Sequence, residues 1–245
     1  GWATVISQGI SAALCFIYIK RSYPILQFDK SEFKLERNRI LSIARISVPM
    51  GLQFSITAMG SVILQSAVNS IDKIAVAAVT AAGKMQNMIV APLETLGVTM
   101  ATYAGQNLGI GNIKRIGNGV KCSLMTGLIY SLAALAAVWL FSAPLCLLFV
   151  DAEETQVIDQ AVYFIRICAC FYPVLALLFV FRNVLQGLGY SLLPMMAGAC
   201  ELAARVAIAV IFVPTIGFDA ACFASPLAWA AAVILLTAVY IVKMK

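Results

Sequence analysis

The sequence predicts an all-α integral membrane protein with seven transmembrane helices, and three observations carry that expectation. The chain is 62% hydrophobic and 11% charged, with mean hydropathy +0.95, whereas the apolar share of a water-soluble domain lies nearer half. Seven uncharged or nearly uncharged runs, at approximately 2–19, 46–70, 83–107, 122–148, 160–182, 190–213 and 220–242, come close to or exceed the about 20 residues that a helix needs to cross a bilayer. The cations between them fall mostly on alternate connections, as positive-inside topology requires.

Composition also excludes function classes. A net charge of +6 invites a nucleic-acid reading, but the charges are scattered between apolar runs, so no nucleic-acid partner is expected. The chain has no His, which removes the commonest catalytic base and metal ligand. Its seven cysteines lie almost all in apolar runs without CxxC spacing and read as small hydrophobes. No Ser/Lys or paired-Asp motif appears, so no enzyme, metal or cofactor is expected. Gly1-Trp2 lacks both a Met and a charged n-region, so the chain reads as a fragment without a signal peptide.

After the first run, Lys20 to Arg45 carries Lys20, Arg21, Lys30, Lys34, Arg37, Arg39 and Arg45 against Asp29, Glu32 and Glu36. This is the largest cationic loop and therefore inside. Its spacing permits a surface helix with Phe28, Phe33 and Leu35 as lipid or protein contacts; a solvated linker fits equally. The further inside loops hold Lys114, Arg115 and Lys121, then Arg182, then Lys243 and Lys245. The outside loops hold Asp72 with Lys73, then Asp151, Glu153, Glu154 and Asp159, then Asp219. Every connection agrees with an N-terminus outside and a C-terminus in the cytoplasm.

In the second run, Gln53, Thr57, Ser61, Gln65 and Asn69 recur every four residues. Each step drifts by about 40° around a helix, so they form one slowly winding polar stripe. Such a stripe either lines a substrate cleft or hydrogen-bonds a neighbouring helix. The third run holds Asn87 and Glu94 on one face, with Lys84 nearer the outer end. A mid-membrane carboxylate must find a partner, bind a cation or take up a proton. Glu94 is thus a candidate for cation coupling, against the alternative of a permanently satisfied structural acid.

In the sixth run, Glu201 and Arg205 are four apart and can pair along one helix face. Glu201 is the second coupling candidate, although a self-neutralised pair fixing helix packing is favoured there; Arg205 is a cleft candidate. Arg166 in the fifth run is expected to reach toward the acidic outer loop in a structural role. Pro49, Pro92, Pro173 and Pro194 lie in or near runs and permit bending, or are tolerated kinks.

Two phrases form turns. Gly105-Gln106-Asn107-Leu108-Gly109-Ile110-Gly111 stands where an apolar run stops and Lys114-Arg115 follows; its glycines let the backbone leave the helix, with Gln106 and Asn107 able to bond open carbonyls. Gln186-Gly187-Leu188-Gly189, with Leu193-Pro194 after it, suits a tight helix exit and turn. Together with Val48-Pro49-Met50-Gly51-Leu52-Gln53, these phrases resemble the MATE family of multidrug and toxic-compound efflux transporters.

The resemblance implies two six-helix lobes joined by a long cytoplasmic loop. Residues 1–20 would end the N-terminal lobe, 21–45 would be the inter-lobe loop, and 46–245 would form the six-helix C-terminal lobe of a twelve-helix transporter. It implies a multi-pass protein of the plasma (inner) membrane, partnered by lipid and by the missing N-terminal lobe. It also implies antiport that exports amphipathic or cationic organic compounds against inward Na⁺ or H⁺, with the lobes rocking about a central cleft. Some branches carry cation-binding acids on the first and fifth helices of the second lobe. Here the helix from Pro49 to Asn69 has glutamines, and the helix from Gln160 to Phe181 has no acid after Asp159. The coupling acid therefore lies in the first lobe, or Glu94 and Glu201 carry the role. The rivals are a related lipid-linked oligosaccharide flippase and a non-transporting membrane scaffold.

Overall fold

The chain adopts helices throughout, with no strand among the described residues, 2–23 and 36–243 of a computed structural model. The helices are α1 (Trp2–Ser22), α2 (Arg37–Asn69), α3 (Lys73–Gly109), α4 (Ile113–Cys146), α5 (Thr155–Cys170), α6 (Tyr172–Gly187), α7 (Leu192–Ala207), a π turn (Ile208–Phe212), α8 (Val213–Ile216) and α9 (Phe218–Lys243). Among the described residues, six continuous helical spans are long and apolar enough to cross a membrane, and α5 with α6 makes a seventh bent by 54°. The seven-helix expectation thus holds. The surface helix expected around Phe28, Phe33 and Leu35 lies outside the described residues.

Two compact units divide the chain, Gly1–Ile43 and Ala44–Lys245. The first holds α1, which buries none of its side chains within the chain, and the start of α2. In the second, α3 packs along α6, α5 and α4, while α9 packs on α7 and α6. Small residues make the close approach possible: Ala75, Ala78, Ala81, Ala82, Gly97 and Ala104 form the buried face of α3. Tyr172, Ile165, Leu178, Leu185 and Leu236 fill the core, while Phe54, Met59, Val62, Leu140 and Ile234 stay exposed, as hydrocarbon contact allows.

Several boundaries differ from expectation, each for a physical reason. The second span begins at Arg37, not 46, so Arg37, Arg39 and Arg45 ride on helix rather than loop; long cationic side chains can project from a helix end into water. The fifth span is broken at Phe171, because Pro173 has no N–H and opens a new helix at its first turn. The sixth contains a π turn, in which Val213 N–H donates to Ile208 C=O. Pro214 follows, and the Thr215 hydroxyl bonds Ile211 and Phe212 C=O.

Both turn phrases close as Schellman motifs, each reversing at its last glycine. Gly105 remains inside α3, and the reversal falls at Gly111 (φ 72°), where Asn112 N–H reaches Asn107 C=O and Gly111 N–H reaches Leu108 C=O. Gly109 ends the helix. Asn107 does not cap the end but bonds Tyr103 C=O within the helix, and Gln106 is exposed. At the other turn Gly189 has φ 85°, with Tyr190 N–H on Leu185 C=O and Gly189 N–H on Gln186 C=O.

Gly187 has a different task. A Cβ there would fall inside contact distance of the Ala101 backbone carbonyl, so only glycine lets α6 lie this close to α3. Gly187→Ala is expected to destabilise the full-length protein by about 1–3 kcal/mol, read as a lower melting midpoint in detergent. Gly117→Ala, where a Cβ meets nothing within 4 Å, is the control and should leave the midpoint unchanged or higher.

Candidate functional site

The site builds outward from two prolines and two glycines. Pro49 cannot donate to Arg45 C=O four residues earlier, and the Ser191 hydroxyl bonds that carbonyl at 3.2 Å, joining α2 to the α6–α7 turn. Along α2, Gly60 lets Arg205 of α7 press in, since a Cβ there would sit 3.3 Å from both Cδ and Nη1. Gly198 of α7 does the reverse: its Cβ would lie 3.3 Å from Gln53 Cγ and 3.5 Å from Thr57 Oγ1. These two contacts set Gln53, Thr57 and Gly60 of α2 against α7. Pro92 likewise leaves α3 continuous, with Tyr130 OH bonding Ile89 C=O beside it at 2.7 Å.

Within that interface lies a charged triad. Arg182 Nη2 of α6 donates to Glu201 Oε1 of α7. The second oxygen, Oε2, faces Arg205 Nη2 at 3.5 Å. Glu201 is 2% exposed, Arg205 5% and Arg182 8%. Arg182 is therefore not a loop cation: it is buried in α6, and the expected inside loop after the fifth span must rest on other evidence. Glu201 and Arg205 do pair, as their spacing suggested, but the shorter bond to Glu201 comes from Arg182. Sequence reading missed this partner because the span was ended at its charge, although Asn183-Val184-Leu185 continues the apolar pattern beyond it.

The stripe on α2 divides along its length. Gln53 is buried and accepts from Gln186 Nε2 at 2.8 Å, so Gln186 serves the helix interface as well as the turn. Thr57 is half-buried, Ser61 is exposed and bonds Thr57 C=O, and half-buried Gln65 donates to exposed Asn69. One end thus meets α6 and α7, and the other turns to the surface of the unit.

Glu94 and Asn87 are both exposed on the same outer face of α3. No ion pair to Glu94 occurs among the described residues. Glu94 is thus exposed while Glu201 is buried in the triad. Lys84 sits with its Nζ 5.8 Å from the Phe149 ring centre, beside Asp151 and Glu154 at the end of the unit. Arg166 does not ion-pair with the acidic loop among the described residues; its guanidinium stacks 5.0 Å from the Trp139 ring and donates to Trp139 C=O at 3.2 Å.

Chemically, the triad holds two guanidinium groups around one carboxylate, one positive charge in excess. Removing the carboxylate leaves two buried cations uncompensated, whereas removing Arg205 leaves a neutral pair. Glu201→Gln should cost about 3–5 kcal/mol of stability, and Arg205→Gln much less. Melting of the detergent-solubilised full-length variants checks the order.

Comparisons with known proteins give the following. The model of the family described as MatE matches residues 49–211. The chain is 26% identical over 192 residues to the probable multidrug resistance protein YpnP of Bacillus subtilis, covering 78% of this chain and 42% of that protein. It is 23% identical over 176 residues to the FAD transporter of Shewanella oneidensis, covering 71% and 38%. A solved structure of MATE in the bent conformation superposes with TM-score 0.85 at 18% identity, over 99% of this chain and 54% of that one. The chain thus spans about two fifths of the length of the curated relatives it matches.

Proposed function

Because the chain belongs to the MatE family, we propose that it is the C-terminal half of a secondary antiporter that exports amphipathic, often cationic organic compounds in exchange for inward Na⁺ or H⁺. The observation that carries this reading is Glu94, an exposed carboxylate in a membrane-length apolar helix. Facing lipid, a mid-helix charge is costly, so this face of α3 belongs against water or protein. The missing N-terminal lobe supplies that surroundings, and a cleft between lobes is where a coupling ion acts. Ion and substrate then compete by favouring different states of the two-lobe protein.

Relatives named for multidrug resistance and for FAD transport support export of small organic molecules. In this reading 1–20 ends the first lobe, 21–45 links the lobes and 46–245 is the second lobe. The N-terminus lies outside and the C-terminus in the cytoplasm of the inner membrane, which the cations at Lys114, Arg115 and Lys121 favour. The flippase rival wants several cations for a pyrophosphate, whereas of Lys84, Arg166 and Arg205 the first lies near Asp151 and Glu154, the second is engaged by Trp139, and only Arg205, beside Glu201, is left. Among the coupling candidates Glu201 is already shared by two arginines, which leaves Glu94 the better placed.

The test is efflux of ethidium or norfloxacin from cells expressing the full-length parent, under imposed Na⁺ or pH gradients, with Glu94→Gln at equal membrane abundance. Wild type should show gradient-driven efflux and the variant should fall to background. Normal efflux in the variant would remove Glu94 from coupling. Absence of efflux from wild type under either gradient would contradict the transporter reading.

A further inference from the structure

We propose that the Arg182–Glu201–Arg205 cluster holds an anionic group, a carboxylate or phosphate, of the transported compound. The inference rests on the transporter reading above and adds to it a chemical class that the exposed Glu94 face does not recognise.

The first observation is charge. Two guanidinium groups share one carboxylate, and the remaining positive charge is buried with Arg205 at 5% and Arg182 at 8% exposure. A buried charge without a counterion is strongly unfavourable, so the intact protein must supply an acceptor in at least part of its cycle. The second observation is geometry. Arg205 Nη1, Arg182 Nε and Thr57 Oγ1 are all buried without a hydrogen-bond partner among the described residues. Three orphaned groups around one surplus charge come from three helices, α7, α6 and α2. Two of the three are guanidinium N–H donors, and the third is a hydroxyl that can turn to donate. All three can donate to an anion.

The third observation is asymmetry within the triad. Arg182 holds Glu201 in a direct bond, whereas Arg205 stands 3.5 Å away. Arg205 is therefore the group that an incoming anion can engage while Glu201 remains neutralised by Arg182. Its planar fork matches the two oxygens of a carboxylate or phosphate. Gly60 lets Arg205 Nη1 lie against α2, and Gly198 lets Thr57 Oγ1 lie against α7, so that both unpartnered groups face the same interface. The stripe through Thr57 to exposed Ser61 provides a polar approach along α2.

The experiment uses the full-length parent in two arms. In detergent, inorganic phosphate should raise the melting midpoint of wild type over chloride at matched ionic strength, and Arg205→Gln should abolish the difference. In proteoliposomes, gradient-driven transport should favour FMN over riboflavin, which lacks the phosphate, by about tenfold, the size of one charge-assisted hydrogen bond. Arg205→Gln should lower FMN transport to the riboflavin rate. Thr57→Val, which removes a hydroxyl and no charge, should narrow the preference and serves if Arg205→Gln does not fold. No phosphate-specific shift in wild type, or the same shift in a folded Arg205→Gln, would overturn the site. A phosphate shift without flavin discrimination would show a site for a free ion and overturn the substrate assignment. Failure of the transporter reading shows separately, as loss of ethidium efflux under every gradient.

Discussion

A guanidinium group in a membrane-spanning helix has no water to answer its five N–H donors, and this constraint shapes the helix packing. Arg182 and Arg205 both lie within apolar helices, and both turn to Glu201. The triad therefore dictates which faces of α6 and α7 meet. It also explains why α2 must come close with glycine at position 60, and why α7 presents glycine at 198 to Gln53 and Thr57. Larger residues at either position would push the helices apart and leave the charges to the lipid.

The same rule, that polar groups in hydrocarbon be answered inside the protein, governs the backbone. Pro49 opens the Arg45 carbonyl, and Ser191 fills it. Pro214 disrupts the regular ladder, and Thr215 bonds the carbonyls that the π turn exposes. Pro173 is handled differently, by breaking the span into α5 and α6. The first of these joins a helix irregularity to a different helix, through Ser191 on the Arg45 carbonyl.

Much of the fold was legible because membrane insertion leaves a one-dimensional trace: a run of apolar residues is a span whatever it packs against. The turns at Gly111 and Gly189 were legible within a few residues because positive φ demands glycine, although the phrase alone could not say that Gly105 stays helical. What could not be read was tertiary. Arg182 looked like the end of a span, since a charge is the usual marker of one, and only the approach of Glu201 from α7 makes burial tolerable. The pairing of Glu201 with Arg205 was visible because it runs along one helix. The stripe from Gln53 to Asn69 was visible as periodicity, but its division into a buried end and an exposed end depends on where α7 crosses it.

The account's central claim is that Arg182, Glu201 and Arg205 act as one unit holding α2, α6 and α7 together. A double-mutant cycle between Arg182→Met and Glu201→Leu, read by melting of the full-length protein, tests it most directly. The account predicts that Glu201→Leu, which strands two buried cations, lowers the midpoint most steeply, and Arg182→Met, which leaves Glu201 paired with Arg205, much less. The double variant should recover part of the Glu201→Leu loss, because one unpaired buried cation costs less than two. Losses that simply add would mean the two side chains are energetically independent, and would contradict the claim.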